Sequence, residues 1–334
     1  MRKLASIQKI KKLHALPQFD NLLLVEVLGW KCLVGKDQFK EGDYCVYFEV
    51  DSILPEKPEY EFMRKYNFKV KTQKMRGIYS QGLCMPVSIL GSYPVGYKEG
   101  EDVTELLEVT KYEEPLPIGG EIKGKFPDFI VQKTDQRRIQ EFPELIERYK
   151  DEKWIVTEKL DGCSFTAGYF NNEFIVCSRN LMLKDSGCVY WYIAKKYNLE
   201  ERMKTMGLYT NADSLFIQGE IVGQKVQGNK YQLKDQRLYI FDVIRNREYK
   251  GWETVEYFAE RLGIETVPVI NDNYNLTDID IDLLVSYSSG RSRINENVMR
   301  EGYVIRTPET KYDLEFGRLS FKVISPEFLI KHKV

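Results

Sequence analysis

The stretch Thr157-Glu158-Lys159-Leu160-Asp161-Gly162 sets one lysine between two acids, after the apolar run Trp154-Ile155-Val156 and before a glycine. A surface lysine needs no such neighbours, whereas a lysine that attacks an electrophile does. The attacking form is the neutral amine, and an ordinary lysine with a pKa near about 10.4 is neutral in only about 1 molecule in 2,500 at pH 7. A nearby cation or hydrated metal disfavours the ammonium form and frees the lone pair. Lys-x-Asp-Gly alone is a weak signal, because the same tetrapeptide occurs in ordinary solvated turns. What decides is the company it keeps along the chain.

The surrounding pattern is α+β. Apolar, β-branched runs predict strands at "WIVTEKL", "SFTAGYF", "EFIVCSR", "SLFIQGEIVG", "QRLYIFDVI", "GYVIRT" and "RLSFKVIS". Helical spacing predicts helices at "VYWYIAKKYNLEERMK", at "WETVEYFAERLG" and over much of 279–300. The strands mostly follow one another without alternating helices, so antiparallel sheets are expected rather than a doubly wound parallel one. Residues 1–105 read instead as short strands and turns. Hairpins are predicted at "NLLLVEVLGWKCLVGK" and around Arg76-Gly77, and about five strands in such a length suit a small β-barrel of the oligonucleotide-binding (OB) type. Between the two parts, 106–150 reads as a linker rich in Pro, Gly and charge, followed by an amphipathic helix that leads into a second domain at 151–334.

Composition narrows the class. The 334 residues, 43% hydrophobic and 30% charged, suit two folded domains rather than a disordered chain. No apolar run approaches the roughly 20 residues of a membrane helix. Six cysteines without a CxxC pair predict reduced core thiols in a cytoplasmic protein. With His14 and His332 at opposite ends of the chain, neither a zinc site nor histidine acid–base chemistry is expected. The net charge of −1 means that a polyanionic partner must be held by a local basic patch.

"EKLDG" resembles the nucleotidyl-lysine motif of the covalent nucleotidyltransferases, the superfamily of polynucleotide ligases and capping enzymes. Further short motifs follow in the superfamily's order: "CSRN" with Arg179, "FIQGEIVG" with Glu220, "LYIFDVI" with Phe241, "EGYVIR" with Glu301 and "LSFKVIS" with Lys322. In the N-terminal third, "FKEGDYCVYFEVDSILP", "KMRGIYSQGL" and "FPDFIVQKTDQRRIQ" are similar to ATP-dependent RNA ligases that carry an OB module ahead of the catalytic domain. Many relatives have Lys-x-Lys in the last motif; this chain has Ser320-Phe321-Lys322, with Arg318 as the only neighbouring cation in that run.

The resemblance implies an RNA ligase that joins 3′-hydroxyl and 5′-phosphate ends, using ATP and Mg²⁺ or Mn²⁺. Lys159 is then the nucleophile, and Lys322 with the metal neutralises the α-phosphate. Asp161, Glu220 and Glu301 are candidates for the hydrated metal, the ribose hydroxyls or both. Arg179 suits ribose or the incoming 5′-phosphate. Phe241 and Val304 are expected on the two faces of adenine, with edge contacts from Thr157 and Glu158. Lys69, Lys71, Lys74 and Arg76, with Tyr79 nearby, form a candidate RNA-binding patch; the competing reading is a solvated strand face. Residues 1–105 are thus expected to grip RNA and to add no group to lysine adenylation. Two rivals remain: a GTP-using capping guanylyltransferase, disfavoured by the N-terminal OB module and the nine residues after Ser325, and a non-catalytic nucleic-acid-binding OB protein. No protein partner is evident.

Overall fold

The computed structural model describes residues 2–91, 96–112, 120–210 and 212–332. Its C-terminal half is built on two sheets. The five-stranded sheet runs in the order Arg137–Arg138, Ser320–Ile324, Gly302–Arg306, Trp154–Lys159, Val269–Tyr274. The eight-stranded sheet is centred on Cys163–Phe170, Ser214–Gly223 and Gln236–Arg245. Pairing is antiparallel except for Arg137–Arg138 with Ser320–Ile324 and Glu265–Thr266 with Gln236–Arg245. The larger sheet buries Phe165, Ile217 and Ile240 against the helices that carry Ile193 and Phe258. The smaller one buries Trp154, Ile305 and Phe321 against Leu145 and Leu284. Side chains such as these, removed from water on both sides, account for the nearly unbroken apolar runs of the central strands.

In the N-terminal half, Ala5–Lys9, Tyr44–Phe48 and Leu83–Pro86 form one three-stranded antiparallel sheet. Lys12–Ala15, Leu22–Val27 and Trp30–Gly35 form another. Tyr44–Phe48 is central to both cores: Val46 and Phe48 pack into one cluster, Cys45 and Tyr47 into the other. The period-2 alternation of a strand supplies both faces at once. The hairpin Gln73–Met75/Ile78–Ser80 turns at Arg76-Gly77 as expected. The ladders among the described residues stay open rather than closing a barrel. None of the six cysteines is in a disulfide, and all six are buried. Among the described residues no helix is long and apolar enough to cross a membrane.

Three helical expectations change. The segment 189–204 is two helices, Val189–Lys196 and Leu199–Thr210, broken at Asn198, whose φ of 49° is left-handed. The helix expected over much of 279–300 covers only Ile281–Ser288. Asp280 caps its start by accepting from the Leu283 N–H at 2.7 Å. Its last carbonyls are taken by the Arg300 guanidinium, which donates to the oxygens of Tyr287, Ser288 and Ser289 at 2.8, 3.0 and 3.1 Å. The amphipathic run before Trp154 yields only Glu144–Arg148, because Pro143 opens it and Arg137–Arg138 pairs with the Ser320–Ile324 strand instead. Part of the expected linker, 113–119, lies outside the described residues. Ile122–Lys125 pairs with Leu181–Leu183 and extends the eight-stranded sheet.

Candidate active site

Lys159 is the last residue of Trp154–Lys159 in the five-stranded sheet, and Cys163 is the first of Cys163–Phe170 in the eight-stranded sheet. Leu160-Asp161-Gly162 is therefore the crossover between the two sheets. Two glycines permit the close approach. A Cβ on Gly162 would lie 2.1 Å from the Ile221 carbonyl oxygen, and one on Gly302 would lie 2.1 Å from that of Val323. Both distances are far inside van der Waals contact, so no other residue fits without moving the backbone. Lys159 is registered opposite Gly302. Glu301, next in line, accepts a hydrogen bond from Lys159 Nζ at 2.7 Å. On the other sheet, Glu220 Oε1 accepts from the Gly162 N–H at 3.0 Å. The crossover thus gathers Lys159 from the end of one strand, Glu301 from just before another and Glu220 from within a third.

A cavity of about 320 Å³ opens here, lined by every residue expected at the nucleotide or the metal, though not by Arg318. Register explains part of this. Thr157 pairs with Val304, Val304 with Lys322 and Lys322 with Arg138, so four residues from four strands share one row and one face. Phe241 reaches the cavity from the other sheet through a β-bulge. Gln218 pairs with Asp242 and Gly219 with Ile240, leaving Phe241 as the extra residue. A bulge re-aims its side chain out of strict alternation. Val304 and Phe241 therefore line the cavity from different sheets.

The charges are unequal in their fates. Burial works against the Lys159 ammonium, but Glu301 and Glu220 outweigh it and hold the pKa above the ordinary lysine value. Lys322 moves the other way, down to about 7, through burial and through Arg138, Lys159 and Arg2. Its ammonium makes neither a side-chain hydrogen bond nor an ion pair among the described residues. Burial raises Glu220 to about 8, against Lys159 and with help from Glu301 and Asp161. Burial also raises Glu301. The carboxylate at 2.7 Å, not the second lysine, thus governs the charge state of Lys159.

The remaining site residues are individually held. Arg179 Nη2 donates to Asp135 Oδ1 at 2.5 Å. Glu158, nearly fully buried, accepts from the Arg293 N–H at 2.7 Å through Oε2, while its Oε1 has no partner. The Thr157 hydroxyl donates to the Val304 carbonyl at 3.5 Å. Arg318 is committed elsewhere: with Arg306 it grips buried Asp242, at 2.5 Å from Arg318 Nη2 and 3.1 Å from Arg306 Nη1. In this conformation its guanidinium does not stand in for a second lysine beside Lys322.

Sequence reasoning missed several cavity residues. Arg2 and Asp51 of the N-terminal module line the same cavity. Asp51 accepts from Arg138 Nη2 at 3.2 Å, and Arg2 Nε donates to Glu49 at 2.5 Å. The expected separation, in which the N-terminal module stays away from the nucleotide chemistry, is therefore not what the cavity wall looks like. No spacing signal marks Arg2, since its role depends on how the two halves dock. Lys230, which lines the cavity, and the buried Tyr231, which does not, were also missed; Lys230 pairs with Asp161, and the Tyr231 hydroxyl accepts from the Asp161 N–H at 2.7 Å.

The four N-terminal cations lie outside the cavity lining and do not converge. Each stands over its own ring: Lys69 over Tyr112 at 3.5 Å, Lys71 over Tyr66 at 5.7 Å, Lys74 over Tyr79 at 4.7 Å and Arg76 over Phe19 at 5.1 Å. Lys69 belongs to an extended segment with a single bridge to Ile53 rather than to a strand. Phe68, Val70 and Thr72 are buried between the half-buried Lys69 and Lys71, so the alternation survives without a ladder.

Among the described residues no three carboxylate, histidine or cysteine side chains converge tightly enough to hold a bare metal ion. Asp161, Glu220 and Glu301 nonetheless supply oxygen donors around one cavity, and the pKa values of Glu220 and Glu301 are raised by burial first and then by neighbouring carboxylates. That donor set suits a hydrated hard cation bound through its waters.

Residues 152–324 match the family model for RNA ligase, and residues 4–87 match an OB-fold domain model. A Naegleria gruberi RNA ligase mutant without ligand superposes with a TM-score of 0.88 at 32% identity, covering 99% of this chain and 98% of that one. The same enzyme with pyrophosphate gives 0.87 at 33%, covering 100% and 99%. A mutant with ATP and Mn gives 0.86 at 33%, covering 99% and 98%. The Early 65 kDa protein of Autographa californica nuclear polyhedrosis virus is 27% identical over 178 residues, 49% of this chain but only 30% of its own length. With a catalytic-domain match over more than half its residues and whole-chain similarity to the Naegleria enzyme, this protein belongs to the RNA ligase family.

Proposed function

We propose that the chain is an ATP-dependent RNA ligase that seals 3′-hydroxyl and 5′-phosphate ends, as in nick repair, through a lysyl-AMP intermediate. The observation that carries this reading is the pairing of Lys159 with Glu301 in a cavity that also holds an unpaired lysine, Lys322. In the first step Lys159 Nζ attacks the α-phosphorus of ATP, and the bond to pyrophosphate breaks. Lys322 neutralises the charge that grows on the α-phosphate oxygens. Phe241 and Val304 hold adenine from two sides, while Thr157 and Glu158 meet its edge. Arg179 takes ribose or the RNA 5′-phosphate, releasing Asp135.

In the second step the RNA 5′-phosphate displaces Lys159 and receives AMP. In the third the RNA 3′-hydroxyl attacks that phosphate and expels AMP. Asp161, Glu220 and Glu301 would hold a hydrated Mg²⁺ or Mn²⁺, which supplies positive charge beside the α-phosphate and relieves the hold of the carboxylates on the Lys159 proton. Residues 1–105 form the RNA-gripping module, with Lys69, Lys71, Lys74 and Arg76 toward the strand, and add Arg2 and Asp51 to the cavity wall; 151–334 carry adenylyl transfer, and 106–150 join them and add Arg138 beside Lys322. The cytoplasm, with its ATP and reduced thiols, suits such an enzyme.

The test is sealing of a nicked duplex whose 3′-hydroxyl strand is RNA, with Mn²⁺ and each nucleotide triphosphate in turn. ATP-specific joining is expected. GTP dependence, or joining without any triphosphate by protein shown to be free of AMP, would contradict the proposal.

A further inference from the structure

The turn before the Gln236–Arg245 strand carries none of the superfamily motifs, yet it grips the crossover next to the nucleophile. Gln227, Gly228 and Asn229 take φ values of 43°, 68° and 49°, three left-handed residues in succession. Such a turn is costly and persists only where its surroundings hold it. Here Asn229 closes it, donating to the Leu233 carbonyl at 2.9 Å and accepting from the Leu233 N–H at 3.0 Å. Asn295 Nδ2 adds a bond to the Tyr231 carbonyl at 3.0 Å. The turn delivers two successive residues to a single target. Lys230 Nζ pairs with the Asp161 carboxylate, and the Tyr231 hydroxyl accepts from the Asp161 backbone N–H at 2.7 Å.

The Lys230 side chain is 21% exposed and Asp161 20%, so the pair is well shielded from screening. The Lys230 ammonium also lies 5.2 Å from the centre of the Phe328 ring, on the C-terminal helix. Both residues line the cavity. Asp161 acts by its charge on Lys159, Glu220 and Glu301 alike. Three carboxylates crowd one attacking lysine, and Lys230 fixes and neutralises one of the three.

We infer that Lys230 is a positioning residue for lysine adenylation: it holds Asp161, and through it the Leu160–Gly162 crossover, in the geometry from which Lys159 attacks. The inference rests on the lysyl-AMP reading above. Holding reacting atoms in place affects the rate constant more than ground-state affinity, and small misplacements cost about 100-fold.

The test measures single-turnover AMP-adduct formation over a range of ATP concentrations with Mn²⁺, for wild type, Lys230→Met and Lys230→Arg, with thermal melting as the folding control. Lys230→Met should melt near wild type and form adduct about 10- to 100-fold more slowly at saturating ATP, with half-saturation changed less than about threefold. Lys230→Arg should recover most of that loss, because a guanidinium restores the pair. An unchanged rate with a raised ATP requirement would overturn the inference, making Lys230 a nucleotide contact. So would wild-type adenylation by the Met variant, or failure of Arg to recover any activity in a normally folded protein. Absence of an adduct on the wild-type protein in the parallel reaction would instead sink the lysyl-AMP reading itself.

Discussion

The cavity of the catalytic half and the cation-bearing hairpin region of the N-terminal half were both marked by residue type, yet they are built differently. In the cavity, residues from strands far apart in the chain converge on one space and act on one another's charges. Around the hairpin, Lys69, Lys71, Lys74 and Arg76 each stand over a separate ring. Covalent chemistry needs atoms within bonding distance, so it forces convergence. Gripping a polyanion needs only charge spread along a path. The first kind of site should therefore fail sharply when one residue is removed, and the second only by degrees.

The sharpest expected failure is at the nucleophile. Lys159→Ala should abolish adenylation yet still seal a nick whose 5′ end already carries AMP, since that step no longer uses the lysine amine. Loss of sealing on the pre-adenylated nick by a normally folded variant would show that Lys159 does more than attack. Next come Glu301→Ala and Lys322→Ala. Each should slow adduct formation by about 10²–10³, the usual cost of one electrostatic group at such a centre. Near-normal rates for either, at subsaturating ATP, would remove that residue from the mechanism. Phe241→Ala should raise the ATP requirement more than it lowers the maximal rate, because stacking holds ground and transition states alike.

The smallest change should come from the other region. Joint replacement of Lys71, Lys74 and Arg76 by alanine should leave adduct formation intact, weaken RNA binding and flatten its salt dependence. The log–log slope should shift by about 0.7–0.9 for each RNA phosphate that is no longer neutralised. An unchanged slope would make the hairpin cations a solvated face. Lys69 stands apart from these three because its ring partner, Tyr112, lines the cavity and its charge reaches Asp51.

The same contrast explains what the sequence could tell. The strand Ser214–Gly223 and the helix Trp252–Leu262 stand where their apolar periodicity put them, because burial decides both. Lys159, Glu220, Glu301 and Lys322 were legible through short motifs whose glycines, Gly162 and Gly302, are enforced by close backbone approach. The Phe241 bulge was not, since a bulge depends on the partner strand and leaves no period of its own. The helix ending at Ser288 also escaped, because the arginine that caps it lies twelve residues further on. Arg2, Arg138 and Lys230 were invisible for a related reason. Each takes its role from docking against a distant segment, and no local pattern records that.

The central claim is that Lys159 becomes covalently bonded to AMP. Intact mass of the AMP-free protein after incubation with ATP and Mn²⁺, followed by peptide mapping under conditions that preserve a phosphoramidate, tests it directly. The account predicts one added AMP per chain, carried by the peptide containing Lys159 and removed by added pyrophosphate. No mass gain under conditions where the same protein seals nicks, or an AMP mapped to another lysine, would contradict it.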